Sequence, residues 1–107
     1  MRRSNLCAAL VALLIPMCVA SVAMADCRED HAASDQNVRR TRAGIEKLAD
    51  GTDAAKCAAY RRYIAALIAQ RGVIERCDTG PNRAQNVGAI DTAIADYNKR
   101  IEGICKN

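Results

Sequence analysis

The residues with the sharpest chemistry in this chain are its cysteines and its single histidine, and their spacing offers two uses. Cys27 and His31 are one helical turn apart with Asp30 beside them, and Cys57, Cys77 and Cys105 follow at wide intervals. Converging thiolates and an imidazole bind zinc, and Cys27, His31 and Cys77, completed by Asp30 or Asp78, would make a four-ligand set. In an oxidising compartment, four cysteines in a short chain instead form a disulfide framework. No two of these four stand at the close spacing of most structural zinc sites. The sequence therefore favours disulfides, with periplasmic metal binding at Cys27, His31 and Cys77 as the alternative.

The compartment is read from residues 1–25. Arg2 and Arg3 precede an apolar run from Leu6 to Val22, and Ala23-Met24-Ala25 is followed at once by Asp26, Arg28, Glu29 and Asp30. Basic, apolar and small-residue regions in that order make a secretory signal peptide, cleaved after Ala25. Pro16 interrupts the apolar run, and the cleavage pattern ends it, so no stable transmembrane segment is expected once the signal is gone. Cys7 and Cys18 leave with it, and residues 26–107 remain as a single domain. Loss of Arg2 and Arg3 lowers the net charge from +4 to +2. With so little net charge and no aromatics beyond three tyrosines, nucleic acid is not an expected partner. The Ala- and Arg-rich composition points to a GC-rich bacterium, and so to a periplasmic or secreted protein.

A second constellation is basic. "VRRTRAG" carries Arg39, Arg40 and Arg42, and "YRRY" carries Arg61 and Arg62, with Tyr63 next to them. Guanidinium forks hold phosphate or carboxylate in bidentate fashion. In an envelope the matching partners are lipid phosphates, cell-wall carboxylates or an acidic protein surface. The bland counterpart is a solvated face, partly neutralised by Glu46 four residues after Arg42 and by Asp91 or Asp96. Catalysis has little to stand on. One histidine, no CxxC pair and no Gly-rich phosphate loop leave no nucleophile–base arrangement and no cofactor site. Glu29 and Asp30 at a helix start complement its dipole.

These residues must be positioned by helices, because no window alternates as a half-buried strand does. In the third segment Val87, Ile90, Ile94, Tyr97, Ile101 and Ile104 recur at intervals of three and four, after Gly80-Pro81. In the second, about Asp53 to Cys77, Tyr60, Ile64, Leu67 and Ile74 form the stripe, widened by Ile68 and Val73. The first, about Arg28 to Asp50, has the ladder Cys27, His31, Ser34, Val38, Thr41, Ile45, Leu48, of which only three are sizeable apolar residues. Gly51-Thr52-Asp53 reads as a stop and a cap. Gly44, Gly72, Gly88 and Gly103 lie inside helices at about 1 kcal/mol each against Ala, and are read as tolerated flaws rather than close approaches.

Short loops at 50–53 and 78–82 make neighbours antiparallel, giving an all-α, up-down-up three-helix bundle. That map decides the cysteine pairing. Cys27 and Cys77 fall at one end, Cys57 and Cys105 at the other, and Cys57 and Cys77 would stand about 30 Å apart along one helix. A disulfide tolerates only about 6 Å between Cα atoms, so Cys27–Cys77 and Cys57–Cys105 is the compatible pairing. It also places Arg39, Arg40 and Arg42 level with Arg61 and Arg62. With no Phe or Trp the core is thin, and bridges are what a domain of this size needs.

The functional expectation is a periplasmic, non-catalytic binding or interaction module. Its contact surface would be the Arg39, Arg40, Arg42, Arg61, Arg62 and Tyr63 band, and its partner an envelope protein or an anionic envelope component. The alternative is a structural or stress-resistance protein of the envelope without a specific ligand. Protein recovered from a periplasm without reductant is expected to start at Asp26 and to weigh less than its all-thiol form by four hydrogens. An intact mass that keeps residues 1–25, or that shows free thiols, contradicts the reading.

Overall fold

A computed structural model describes residues 26–105, so the signal-peptide expectation lies outside the described residues. Three helices make up the bundle: α1, helical through residues 26–47; α2, Asp53–Cys77; and α3, Gly80–Ile104. The described residues include no strand. α1 ends three residues before the expected Asp50. Its last turn tightens instead, with Leu48 N–H donating to Ile45 O at 3.0 Å and Gly51 N–H to Leu48 O at 2.9 Å. Such i to i+3 bonds use carbonyls that a helix end leaves without partners. Space favours glycine at 51, since a Cβ would stand 3.1 Å from Leu48 O. Thr52 then caps α2, its hydroxyl oxygen accepting from the Ala55 N–H at 3.1 Å.

Disulfides join Cys27 to Cys77 and Cys57 to Cys105, with Cα atoms 5.6 and 5.4 Å apart. The pairing is the one the antiparallel map requires. Between α1 and α2, Cys27 meets Cys77, Asp30 meets Arg76 and Asp35 meets Gln70. Facing positions thus have numbers adding to 104–106 from Cys27 to Asp35. Between α2 and α3, Cys57 meets Cys105, Tyr63 meets Tyr97 and Arg71 meets Asp91, with totals of 160–162. Each register starts at its bridge and holds through the contacts named.

α2 is the centre of the core. Of the eight buried apolar residues among those described it supplies seven, Cys57, Ala59, Tyr63, Ile64, Ala66, Leu67 and Ile74, while α3 supplies Ile90. Tyr63, Leu67, Ile74 and Ile90 form the cluster, and Val38 and Ile45 of α1 and Val87, Ile94 and Tyr97 of α3 pack against it half-buried. The fuller stripe of α3 therefore does not mean deeper burial. α2 has neighbours on both flanks, whereas α3 keeps the outer side of its stripe in water.

Two expectations about α2 change. Ile68 was expected to widen the stripe, yet it is 55% exposed, because it falls outside the flank that α3 covers. Tyr63, expected on the contact surface, is 7% exposed and belongs to the core. Its ring meets Tyr97 edge-on at 4.7 Å, and Tyr60 lies 5.6 Å from Tyr97 on the other side. Edge-to-face pairs of this kind add about 0.5–1.5 kcal/mol beyond the area they bury. The three aromatics of the chain thus work as one group.

α1 packs with a ladder that is polar in the middle. Ser34 is 9% exposed, and its hydroxyl donates to His31 O at 3.1 Å. Thr41 donates to Asn37 O and Val38 O at 2.9 and 3.0 Å. Bonding back into its own helix lets each hydroxyl face the core without an unmet partner. No buried side-chain polar atom among the described residues lacks a partner.

The α2–α3 connection rests on Gly80, whose φ is +66°. A non-glycine residue in that left-handed region costs about 1–2 kcal/mol. Pro81 follows in the first turn of α3 and fixes its start. Gly80→Ala is expected to lower unfolding stability by about that 1–2 kcal/mol in denaturant, whereas Gly88→Ala, in open space inside α3, should leave it level or raise it.

Candidate functional site

The register fixes where each charge stands. A plane through Ala65, the middle of α2, crosses α1 at Arg39 and α3 at Tyr97. The half that holds the Cys57–Cys105 bridge (39–65 and 97–105) carries nine Lys and Arg against four Asp and Glu. The half that holds Cys27–Cys77 (26–38 and 66–96) carries four against eight. The bundle is a charge dipole, basic at one end and acidic at the other, although the described residues are nearly balanced at thirteen basic against twelve acidic.

Pairing sharpens the difference. In the acidic half Arg76 donates to Asp30, and Arg71 donates to Glu75 and, at 2.6 Å, to Asp91. The latter was one of the carboxylates expected to neutralise the arginine band, and it is engaged elsewhere. Its partner Arg71 drew no notice in the sequence because its role depends on α3 lying alongside. In the basic half, among the described residues, the one ion pair is Arg42 with Glu46 at a loose 3.9 Å. Arg100 lies over the Tyr97 ring, 4.9 Å from its centre. Arg39, Arg40, Arg61 and Arg62 are exposed, with no carboxylate partner among the described residues.

The five arginines share a height but not a face. Arg40 and Arg62 line one groove between α1 and α2, together with Thr41, Gly44, Leu48 and Ala59. Asn37 accepts a hydrogen bond from Arg40 Nη2 at 2.9 Å and steadies it. Arg61 looks into a separate depression beside the Cys57–Cys105 bridge, which also contains Asp53. Arg42 lies close enough to the Tyr63 phenol to offset part of the pKa rise that burial and Tyr97 cause. What sequence spacing presented as one band is a ring of cations, of which two converge.

Near the other bridge, Cys27 and Cys77 are bonded to each other, so two of the three ligands weighed for a metal have no thiolate to offer. His31 instead lies 3.0 Å from Asp78, whose second oxygen accepts from Asn86 Nδ2 at 3.2 Å. Gln70 donates to Asp35 at 2.8 Å across the α1–α2 seam. These contacts tie the three helices together beneath the bridge. Among the described residues no three His, Cys, Asp or Glu side chains are grouped to hold an ion.

No family model matches the chain, and neither a curated protein nor a solved structure shows significant similarity to it.

Burial raises the Tyr63 phenol above its ordinary 10.0, Tyr97 adds to the rise, and Arg42 opposes both. In the unfolded chain that phenol ionises near 10, while in the bundle it stays neutral. Its contribution is therefore complete below pH 10 and is lost as pH rises through the folded value. Unfolding stability is expected to fall above pH 10, and Tyr63→Phe should flatten that fall. An identical alkaline profile for both proteins would contradict it.

Proposed function

We propose that the chain is an exported, non-catalytic binding module whose basic half engages an anionic component of the bacterial envelope. The observation that carries this is the segregation of unpaired cations. A surface charge that serves only solubility gains from neighbours of opposite sign, and large single-sign regions repel themselves. Here the acidic half pairs two of its four arginines, Arg71 and Arg76, across helices, while Arg39, Arg40, Arg61 and Arg62 of the basic half have no carboxylate partner among the described residues. Clustered Lys and Arg are each worth about 1 kcal/mol near an anionic lipid surface.

The disulfides support an oxidising compartment, of which a periplasm is one. Among the described residues no helix is long and apolar enough to cross a membrane, so contact with lipid would be made at the surface through charge.

Vesicles of phosphatidylglycerol and phosphatidylcholine provide the test. Retention should fall with salt, and Arg40→Glu with Arg62→Glu should lower it at least tenfold. Arg83→Glu, in the acidic half, should change it little. Equal retention of the double variant and the parent protein would remove the proposal.

A further inference from the structure

Gly44 is the starting point. It lies inside α1, where glycine costs about 1 kcal/mol relative to alanine. A Cβ built at Gly44 would meet nothing within 4 Å, as at Gly72, Gly88 and Gly103, but of these four only Gly44 lines a groove with two arginines. The space is the groove between α1 and α2, about 250 Å³ in volume. Arg40 lies one turn before Gly44 and Leu48 one turn after it. From α2, Ala59 and Arg62 close the other side.

The lining has two chemistries in a fixed arrangement. The floor is small and apolar: Gly44, Leu48 and Ala59, the last only 5% exposed. The rim is cationic, with Arg40 and Arg62 on opposite helices. Arg40 spends one N–H on Asn37 and keeps the remainder of its fork. Thr41 turns its hydroxyl proton to its own backbone. The two other grooves described in the bundle contain carboxylates, Asp53 in one and Asp35 and Asp78 in the other, and this one contains none.

Resting on the envelope-binding function proposed above, we infer that this groove is a site for a single phosphate monoester carrying an apolar chain. Two guanidinium forks from opposite sides satisfy the phosphate oxygens, and the chain's first methylenes cover Gly44, Leu48 and Ala59. The apolar floor separates this ligand from free phosphate, because each methylene covered strengthens binding roughly fourfold. The small residues at 44 and 59 keep the floor open. The site sits on the seam between α1 and α2, at the edge of the basic half, where a lipid headgroup drawn from a surface reaches it.

Calorimetry and amide chemical-shift mapping on the disulfide-bonded protein test this with octyl phosphate, inorganic phosphate and phosphatidic acid vesicles. Octyl phosphate below its micelle concentration should bind at least tenfold more tightly than inorganic phosphate, with shifts confined to residues 40–48 and 59–62. Gly44→Leu fills the groove without altering charge. It should weaken octyl phosphate at least tenfold while leaving salt-dependent retention on phosphatidylglycerol vesicles as in the parent. Stronger binding to phosphatidic acid than to phosphatidylglycerol vesicles, lost in Gly44→Leu, assigns the ligand to a membrane; octyl phosphate binding without that preference assigns it to a free amphiphile. Equal affinity for octyl and inorganic phosphate, or shifts spread over the basic half, overturns the site and leaves the envelope-binding reading standing. Loss of retention on all anionic vesicles by Arg40→Glu with Arg62→Glu, beside unchanged octyl phosphate binding, overturns the site alone. Should Gly44→Leu not fold, the parent's shift map and the comparison of the two phosphates decide the matter.

Discussion

Everything in this bundle depends on α2 being clamped at both ends. Its two cysteines are twenty residues apart, and each bonds a different neighbour: Cys77 fixes α1 and Cys57 fixes α3. A helix of 25 residues spans nearly 40 Å at 1.5 Å per residue, and a slip of one turn at either end would break a bridge. The register that results is kept along both seams, from Cys27–Cys77 to the Arg40–Arg62 groove and from Cys57–Cys105 to Arg71–Asp91. The bridges matter because the core alone is slight. Among the described residues no side chain is fully buried, and the cluster of Tyr63, Leu67, Ile74 and Ile90 is small for three helices. Each bridge closes a loop of about fifty residues, worth on the order of 4 kcal/mol in the chain-entropy model. The loops overlap, so the two values do not add.

The clamp also decides the electrostatics. Antiparallel α1 and α2 bring "VRRTRAG" against "YRRY", and parallel offset brings Lys99 and Arg100 of α3 to the same end. Opposite them, Asp30, Asp35, Asp78 and Asp91 collect where Arg71, Arg76 and His31 answer them across the seams. Exposed pairs of this kind add little each, about 0–1 kcal/mol. Together with Gln70–Asp35 they join all three helices at the acidic end. The basic end has no such cross-helix pairs among the described residues. There the tyrosine group, the Thr52 cap and the Cys57–Cys105 bridge hold the structure, and the cations are left to solvent or to a partner. Cross-helix ion pairs and free cations are thus divided between the two ends among the described residues.

How far the sequence carries can be seen helix by helix. α2 was legible at both ends, because Gly51-Thr52-Asp53 marks its start and its apolar stripe runs on to Cys77 despite Gly72. α3 was legible from its period and from Gly80-Pro81. α1 was legible through a ladder with Ser and Thr at core positions, and the structure shows why that works: their hydroxyls bond within the helix. The disulfide pairing followed as well, since two bridges and two short loops admit one arrangement. Composition, period and spacing are local properties, and they determined the fold class, the pairing and the level at which the arginines stand.

Only the tertiary structure decided which faces those residues occupy. Periodicity gives a stripe but not which edge of it a neighbour covers, so Tyr63 went inside and Ile68 outside against expectation. It likewise could not show that Arg40 and Arg62 converge while Arg61 turns to another groove, or that Asp91 belongs to Arg71. Gly44, Gly72, Gly88 and Gly103 all face open space, and only the structure shows that the space beside Gly44 belongs to the groove of Arg40 and Arg62. Each of these turns on the angle between two helices about their own axes. No single helix encodes that angle; it is settled when side chains of all three share one core and the two bridges hold them there.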